Sequence, residues 1–201
     1  MPIRFLIPAC VVVGMAAFGA AAAQEMPGAD WFAKLSVPVP TPNAILVCHG
    51  FGCHSRTLVA LTASDRAVLT RLVAGKTPQA ERQGIARAVA WFDRRVGPQA
   101  GTAGARASAS GLAGDPSQFD CFDRTINTTS LLLVMEKLRL LRHHTVSDPR
   151  SRVFAPIVGS PHSSAVIAER ASGRRWAIDP WPKGYGELPD VLPLKVWLAK
   201  D

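Results

Sequence analysis

The chain has 201 residues, 48% of them hydrophobic, and a formal net charge of +8, which suits a single domain with a sizeable core. Its basic residues are scattered or paired, as in Arg94-Arg95 and Arg174-Arg175, with no run and no interleaved aromatics. That pattern argues against a nucleic-acid-binding stripe.

Met1 to Arg4 supply a basic start, and Phe5 to Ala20 form an uncharged apolar and small-residue stretch. Ala21-Ala22-Ala23 then gives the small-x-small pattern cut by signal peptidases. Residues 1–23 are therefore read as a signal peptide. The protein is expected to be periplasmic or secreted, with no stable membrane insertion after cleavage. Residues 24–43 are proline-rich and read as an extended N-terminal segment with Trp31 and Phe32 as anchors. Residues 44–201 read as one domain.

Ala44 to Val47 is an apolar run expected to form a strand, and His49 to Gly52 must turn. Ser64-Asp65 caps a first helix, whose face is Val68, Leu69, Leu72 and Val73. Thr77-Pro78 opens a second helix carrying Ile85, Val89, Phe92 and Val96, with a stop expected at Gly97-Pro98. Residues 99–116 are rich in Gly, Ala and Ser without apolar periodicity, and read as a mobile loop. Thr125 to Leu141 is apolar on nearly every side, as suits a buried helix, and His143-His144 follow as its C-terminal cap. Val153 to Val158, His162 to Glu169 and Arg174 to Ile178 read as strands, the last two joined by a turn at Arg170–Gly173. A short helix over Leu194 to Leu198 ends the irregular tail.

After Ala23 the chain holds Cys48, Cys53 and Cys121. In an oxidising compartment the first two can close a short loop as a disulfide, leaving Cys121 unpaired. Two thiols with His49 and His54 are also one spacing variant from a c-type haem site, or could hold zinc, so a small metal- or haem-binding protein using Cys48–His54 is an alternative. Asn127-Thr128-Thr129 matches a glycosylation pattern but falls inside the buried helix.

Cys121 sits at, or one residue before, the start of that helix, where backbone N–H groups and the helix dipole favour a thiolate. Its own N–H is one candidate oxyanion donor and Gln118 a second. His162 begins one strand and Asp179 closes the next. Their equal parity across the hairpin places both side chains on one face, so the carboxylate can orient the imidazole. Trp176 and Trp181 are candidates to shield that hydrogen bond.

Asp120-Cys121-x-Asp123, Pro161-His162-x-x-Ala165-Val166 and Trp176-x-x-Asp179 together resemble the transglutaminase-like cysteine peptidase superfamily, over roughly residues 64 to 182. Its nearest likeness there is the bacterial periplasmic branch that clips surface adhesins. The resemblance implies an α+β, papain-like fold in which a buried helix carrying the Cys packs on an antiparallel sheet, here with extra N-terminal helices. It also implies Cys121 as nucleophile, His162 as base and Asp179 as orienter, acting on a protein or peptide substrate through an acyl-thioester. That branch binds calcium through acidic residues flanking its cysteine. Here Phe122 occupies one such position, leaving Asp120 and Asp123 as weak calcium candidates, and no cofactor is expected. A catalytically inactive binding protein on the same scaffold is the second reading.

Overall fold

The computed structural model describes residues 29–153 and 161–200. Residues 1–23, read above as a signal peptide, lie outside the described residues, as does the strand expected over Val153–Val158 beyond its first residue. The architecture is α+β, with five α-helices and two antiparallel sheets among the described residues.

Helix α1 (Ala29–Lys34) interrupts the segment expected to be extended, and Phe32 on it is fully buried. Strands β1 (Ala44–His49) and β2 (Ser55–Ala60) form a hairpin, with Leu46 opposite Leu58. Helix α2 (Ala63–Leu72) opens on a capping box in which Thr62 and Asp65 each bond the other's backbone N–H. Helix α3 (Pro78–Ala100) begins with Thr77 as N-cap and proline in its first turn, as expected.

The expected stop at Gly97-Pro98 does not occur, because α3 continues to Ala100 and ends on left-handed Gly101. Pro98 has no N–H for the carbonyl of Arg94, a loss that ordinarily breaks a helix. Tyr185 makes it good by donating its hydroxyl to that carbonyl at 3.1 Å. Gly97 provides the room, since a Cβ there would lie 2.4 Å from the Tyr185 ring.

Of residues 99–116, the first two complete α3, and the rest contain one 3-10 turn, Ser110–Leu112. They are tied down rather than loose. Ser108 N–H donates to Trp181 O, Tyr185 N–H to Ala105 O, and Arg106 N–H to the Gln118 side chain. Ala105 and Ala109 are buried, and their small side chains allow this close packing.

Helix α4 (Cys121–Lys137) is buried continuously from Asp123 to Met135. It stops short of Leu141: Arg139 adopts φ 57°, and Leu140 N–H reaches back to Met135 O. His143 and His144 are therefore not its cap. His144 opens β3 (His144–Val153), and its ring bonds the buried carboxylate of Glu81. Glu81 also accepts the backbone N–H groups of Arg142, His143 and His144. Burial pushes this carboxyl up, but the His144 ring and the backbone donors outweigh it and hold it below its usual range.

Strands β3, β4 (Pro161–Glu169), β5 (Arg175–Asp179) and β6 (Asp190–Pro193) form the second sheet in that order, and α5 (Leu194–Leu198) follows. The two faces of this sheet have different cover. Ala165, Ile167 and Ile178 join the main core with α4, whereas Val166 and Ala177 pack with Leu194 and Trp197 of α5. Alternation of side chains along β4 and β5 makes this division.

Candidate active site

Cys121 is the first residue of α4 and is partly exposed. Its start is fixed by a capping box in which Asp120 accepts the Asp123 N–H at 2.7 Å and Asp123 reaches back to the Asp120 N–H. The sulfur lies 3.6 Å from the carbonyl oxygen of Pro161, where β4 begins.

The next residue, His162, is almost wholly buried, and its Nε2 lies 2.6 Å from Asp179 Oδ2. The register explains the meeting. Ala165 stands opposite Ile178, so Asp179 falls beside Ser164, with His162 two residues further along the same face. The carboxylate takes up Nε2, and the Cys121 thiol lies near enough to the ring to raise its affinity for a proton. Burial pushes the imidazole down, but the bond to Asp179 and the nearby Cys121 outweigh it and raise His162 to about 9. The structure thus brings together the three residues singled out in the sequence.

Asp179 has further donors. Trp197 Nε1 donates to Oδ2 at 2.8 Å, and the Trp181 backbone N–H donates to Oδ1 at 3.2 Å. The His162 ring lies between Trp181 at 4.9 Å and Trp197 at 5.4 Å, centroid to centroid. Trp181 therefore shields the pair as expected, but Trp176 does not. Three residues before Asp179, it has opposite parity and lies beneath the Arg82 guanidinium, 3.8 Å from its ring. Trp197 takes that place, and the sequence signal for it was slight, a lone tryptophan in a five-residue helix. A cavity of about 210 Å³ opens beside the pair, lined by Arg152, Asp190, Pro182 and Lys200 as well as the two tryptophans.

Gln118 is buried, with Oε1 accepting from Arg106 N–H at 2.8 Å and Nε2 donating to Ser117 Oγ at 3.1 Å. Cys48 and Cys53 form a disulfide. His49 is bonded at both ring nitrogens, to Pro116 O and Thr57 Oγ1. With the sulfurs joined to each other, this segment does not present the ligand set that a zinc or haem site at Cys48–His54 would need.

The disulfide closes a loop in which Gly50, Phe51, Gly52 and Cys53 all have positive φ, from 76° to 59°. For Phe51 and Cys53 that conformation costs about 1–2 kcal/mol each. Its N–H groups converge on the carboxylates at the start of α4, Gly52 on Asp120 and both Phe51 and Cys53 on Asp123. Burial and the charge of Asp120 raise Asp123 to about 7, against the pull of those N–H donors. The two candidate calcium ligands thus have oxygens already occupied by N–H groups. Among the described residues, no cluster of three or more His, Cys, Asp or Glu side chains could hold a metal ion.

Asn127 completes the contact, accepting from Cys48 N–H at 2.8 Å and donating to Cys48 O at 2.7 Å. Among the described residues no helix is long and apolar enough to cross a membrane. Comparison of the chain with known protein families, curated proteins and solved structures finds no match.

Proposed function

We propose that this chain is an exported thiol hydrolase of the transglutaminase-like kind, cleaving a peptide or amide bond through an acyl-thioester on Cys121. The observation that carries the reading is His162, held at Nε2 by buried Asp179 at 2.6 Å and directly following Pro161, whose carbonyl oxygen lies 3.6 Å from the Cys121 sulfur at the start of α4. A papain-like core belongs to the same proposal, supported by a buried helix carrying the cysteine against an antiparallel sheet whose adjacent strands carry the other two residues. Export is supported by the disulfide, which persists in oxidising compartments.

The steps follow from the geometry. The Cys121 thiolate attacks the substrate carbonyl carbon, and its π electrons move to oxygen. The N–H of Cys121, at a helix position with no intrahelical acceptor, can donate to that oxyanion. Gln118 Nε2, with one of its two protons engaged by Ser117, is the candidate second donor. The oxyanion collapses, the C–N bond breaks, and His162 as imidazolium gives its proton to the departing amine. Water then attacks the thioester, His162 takes a proton from it, and the acid leaves as Cys121 regains its thiolate. An amine in place of water would give transfer instead of hydrolysis.

The test is the rate of iodoacetamide modification at Cys121 at neutral pH, in the wild type and in His162→Ala. The expected result is a fall of about tenfold or more in the variant, the usual scale for loss of a positioned acid–base partner. Equal rates would overturn the reading and leave a catalytically inactive binding protein on this scaffold.

A further inference from the structure

We propose that the disulfide-closed loop 48–53 is the positioning clamp of Cys121, so that the nucleophile meets His162 only after Cys48 and Cys53 have been oxidised. The inference rests on the thiol-hydrolase reading above. Asp120, Asp123 and Asn127 follow each other at helical spacing and face the loop from one side of α4. Between them they bond the backbone of Cys48, Phe51, Gly52 and Cys53. Gly50 N–H also donates to Gln118 O at 2.8 Å, which holds the residues leading into Cys121. The nucleophile is thus flanked on both sides by residues tied to this one loop.

The loop does not hold its shape unaided. Four successive left-handed residues, two of them not glycine, are unfavourable for a chain segment on its own. What the conformation provides is a fan of N–H groups aimed one way, a concavity that suits carboxylates. The cross-link joins the last left-handed residue, Cys53, to the end of β1, so the fan is fixed relative to the strand that Asn127 grips. With free thiols the segment can relax to commoner dihedrals, and Asp120 and Asp123 lose their shared donors.

Both cysteines are buried, 0% and 4% exposed, so the cross-link is a maturation step and not a rapid toggle. Closure proceeds by thiol–disulfide exchange with an oxidised dithiol. The two cysteines give up two electrons and two protons, and the partner disulfide becomes a dithiol. A reduced chain is then folded but idle, and activity is confined to an oxidising compartment.

The experiment measures iodoacetamide modification at Cys121, read at its own peptide by mass spectrometry, in the full chain. Three forms are compared, each with and without His162→Ala: oxidised protein, protein reduced with dithiothreitol, and Cys48→Ser/Cys53→Ser. Circular dichroism tracks the fold. The expected result is a fall of about tenfold or more in the reduced and serine forms, with the His162 dependence abolished and restored on reoxidation by oxidised glutathione. A folded reduced or serine form that keeps the oxidised rate and its His162 dependence would overturn the clamp. Should both lose their fold, Asp120→Asn decides, because asparagine still caps a helix but offers one acceptor oxygen instead of two. Slowed modification in folded Asp120→Asn supports the clamp, and an unchanged rate rejects it. Failure of the hydrolase reading looks different, since His162→Ala would then leave the oxidised wild-type rate untouched.

Discussion

Trp197 donates its indole N–H to Asp179 Oδ2, the same oxygen that holds His162, at 2.8 Å. A carboxylate shared in this way is fixed from two directions, and the imidazole inherits that fixity. Trp197→Phe keeps a ring against His162 while removing the donor. The expected outcome is a loss of about 1–3 kcal/mol in a urea unfolding curve, the cost of leaving a buried polar group short of a partner. Cys121 modification should slow as well. An unchanged curve and rate would show that the indole bond contributes nothing.

The raised affinity of His162 for its proton sets the pH behaviour. The folded-state value of about 9 lies above the ordinary histidine value of 6.5, so the imidazolium is favoured by folding and is lost as pH climbs through 9. Stability from this group is fully present below 6.5 and disappears across that window. An imidazolium beside the sulfur attracts the anionic reagent iodoacetate relative to neutral iodoacetamide. The ratio of the two rates should therefore be high at pH 7 and fall through about 9 in the wild type, while staying flat in His162→Ala. A flat wild-type ratio would mean that no cation stands beside the thiol.

Gly97 and Tyr185 offer a test remote from the chemistry. A methyl group on residue 97 would enter the Tyr185 ring, and displacing that ring also strips the Arg94 carbonyl of its donor. Gly97→Ala should cost about 1–3 kcal/mol, the usual cost of overpacking, although alanine is otherwise the better helix former. Thermal unfolding measures it, and a stabilised variant would show that the ring is not needed where it lies.

Much of the site was legible in the sequence because it rests on rules of period and position. Parity alone put His162 and Asp179 on one face, and the Asp120-x-x-Asp123 pattern marks the helix start at Cys121. The same parity, applied to Trp176, would have removed it from the site. What escaped was set by distant partners. Pro98 stays helical because a tyrosine far along the chain replaces its missing bond. Residues 99–116 lack apolar periodicity because backbone bonds to Trp181, Tyr185 and Gln118 hold them. Strand β2 is not legible in the sequence because its alternation is imperfect, with Leu58 62% exposed on a two-stranded sheet. Glu81 is marked in the sequence, since it continues the Ile85 and Val89 face of α3 and an acid on an apolar face calls for buried donors.

The two sheets are separate among the described strands, and α4 packs against both. Cys121, the first residue of α4, therefore stands between the two sheets, and separate local opening of each is the expected behaviour. On that expectation, a loosening of the hairpin would release the first turn of α4 while the four-stranded sheet stays closed, and a loosening of that sheet would release His162 while the hairpin stays intact. Either event would take the site apart without global unfolding. In hydrogen exchange, the amides of loop 50–53 and those of β4 near His162 should then report two independent opening reactions, each with a free energy below that of the whole protein.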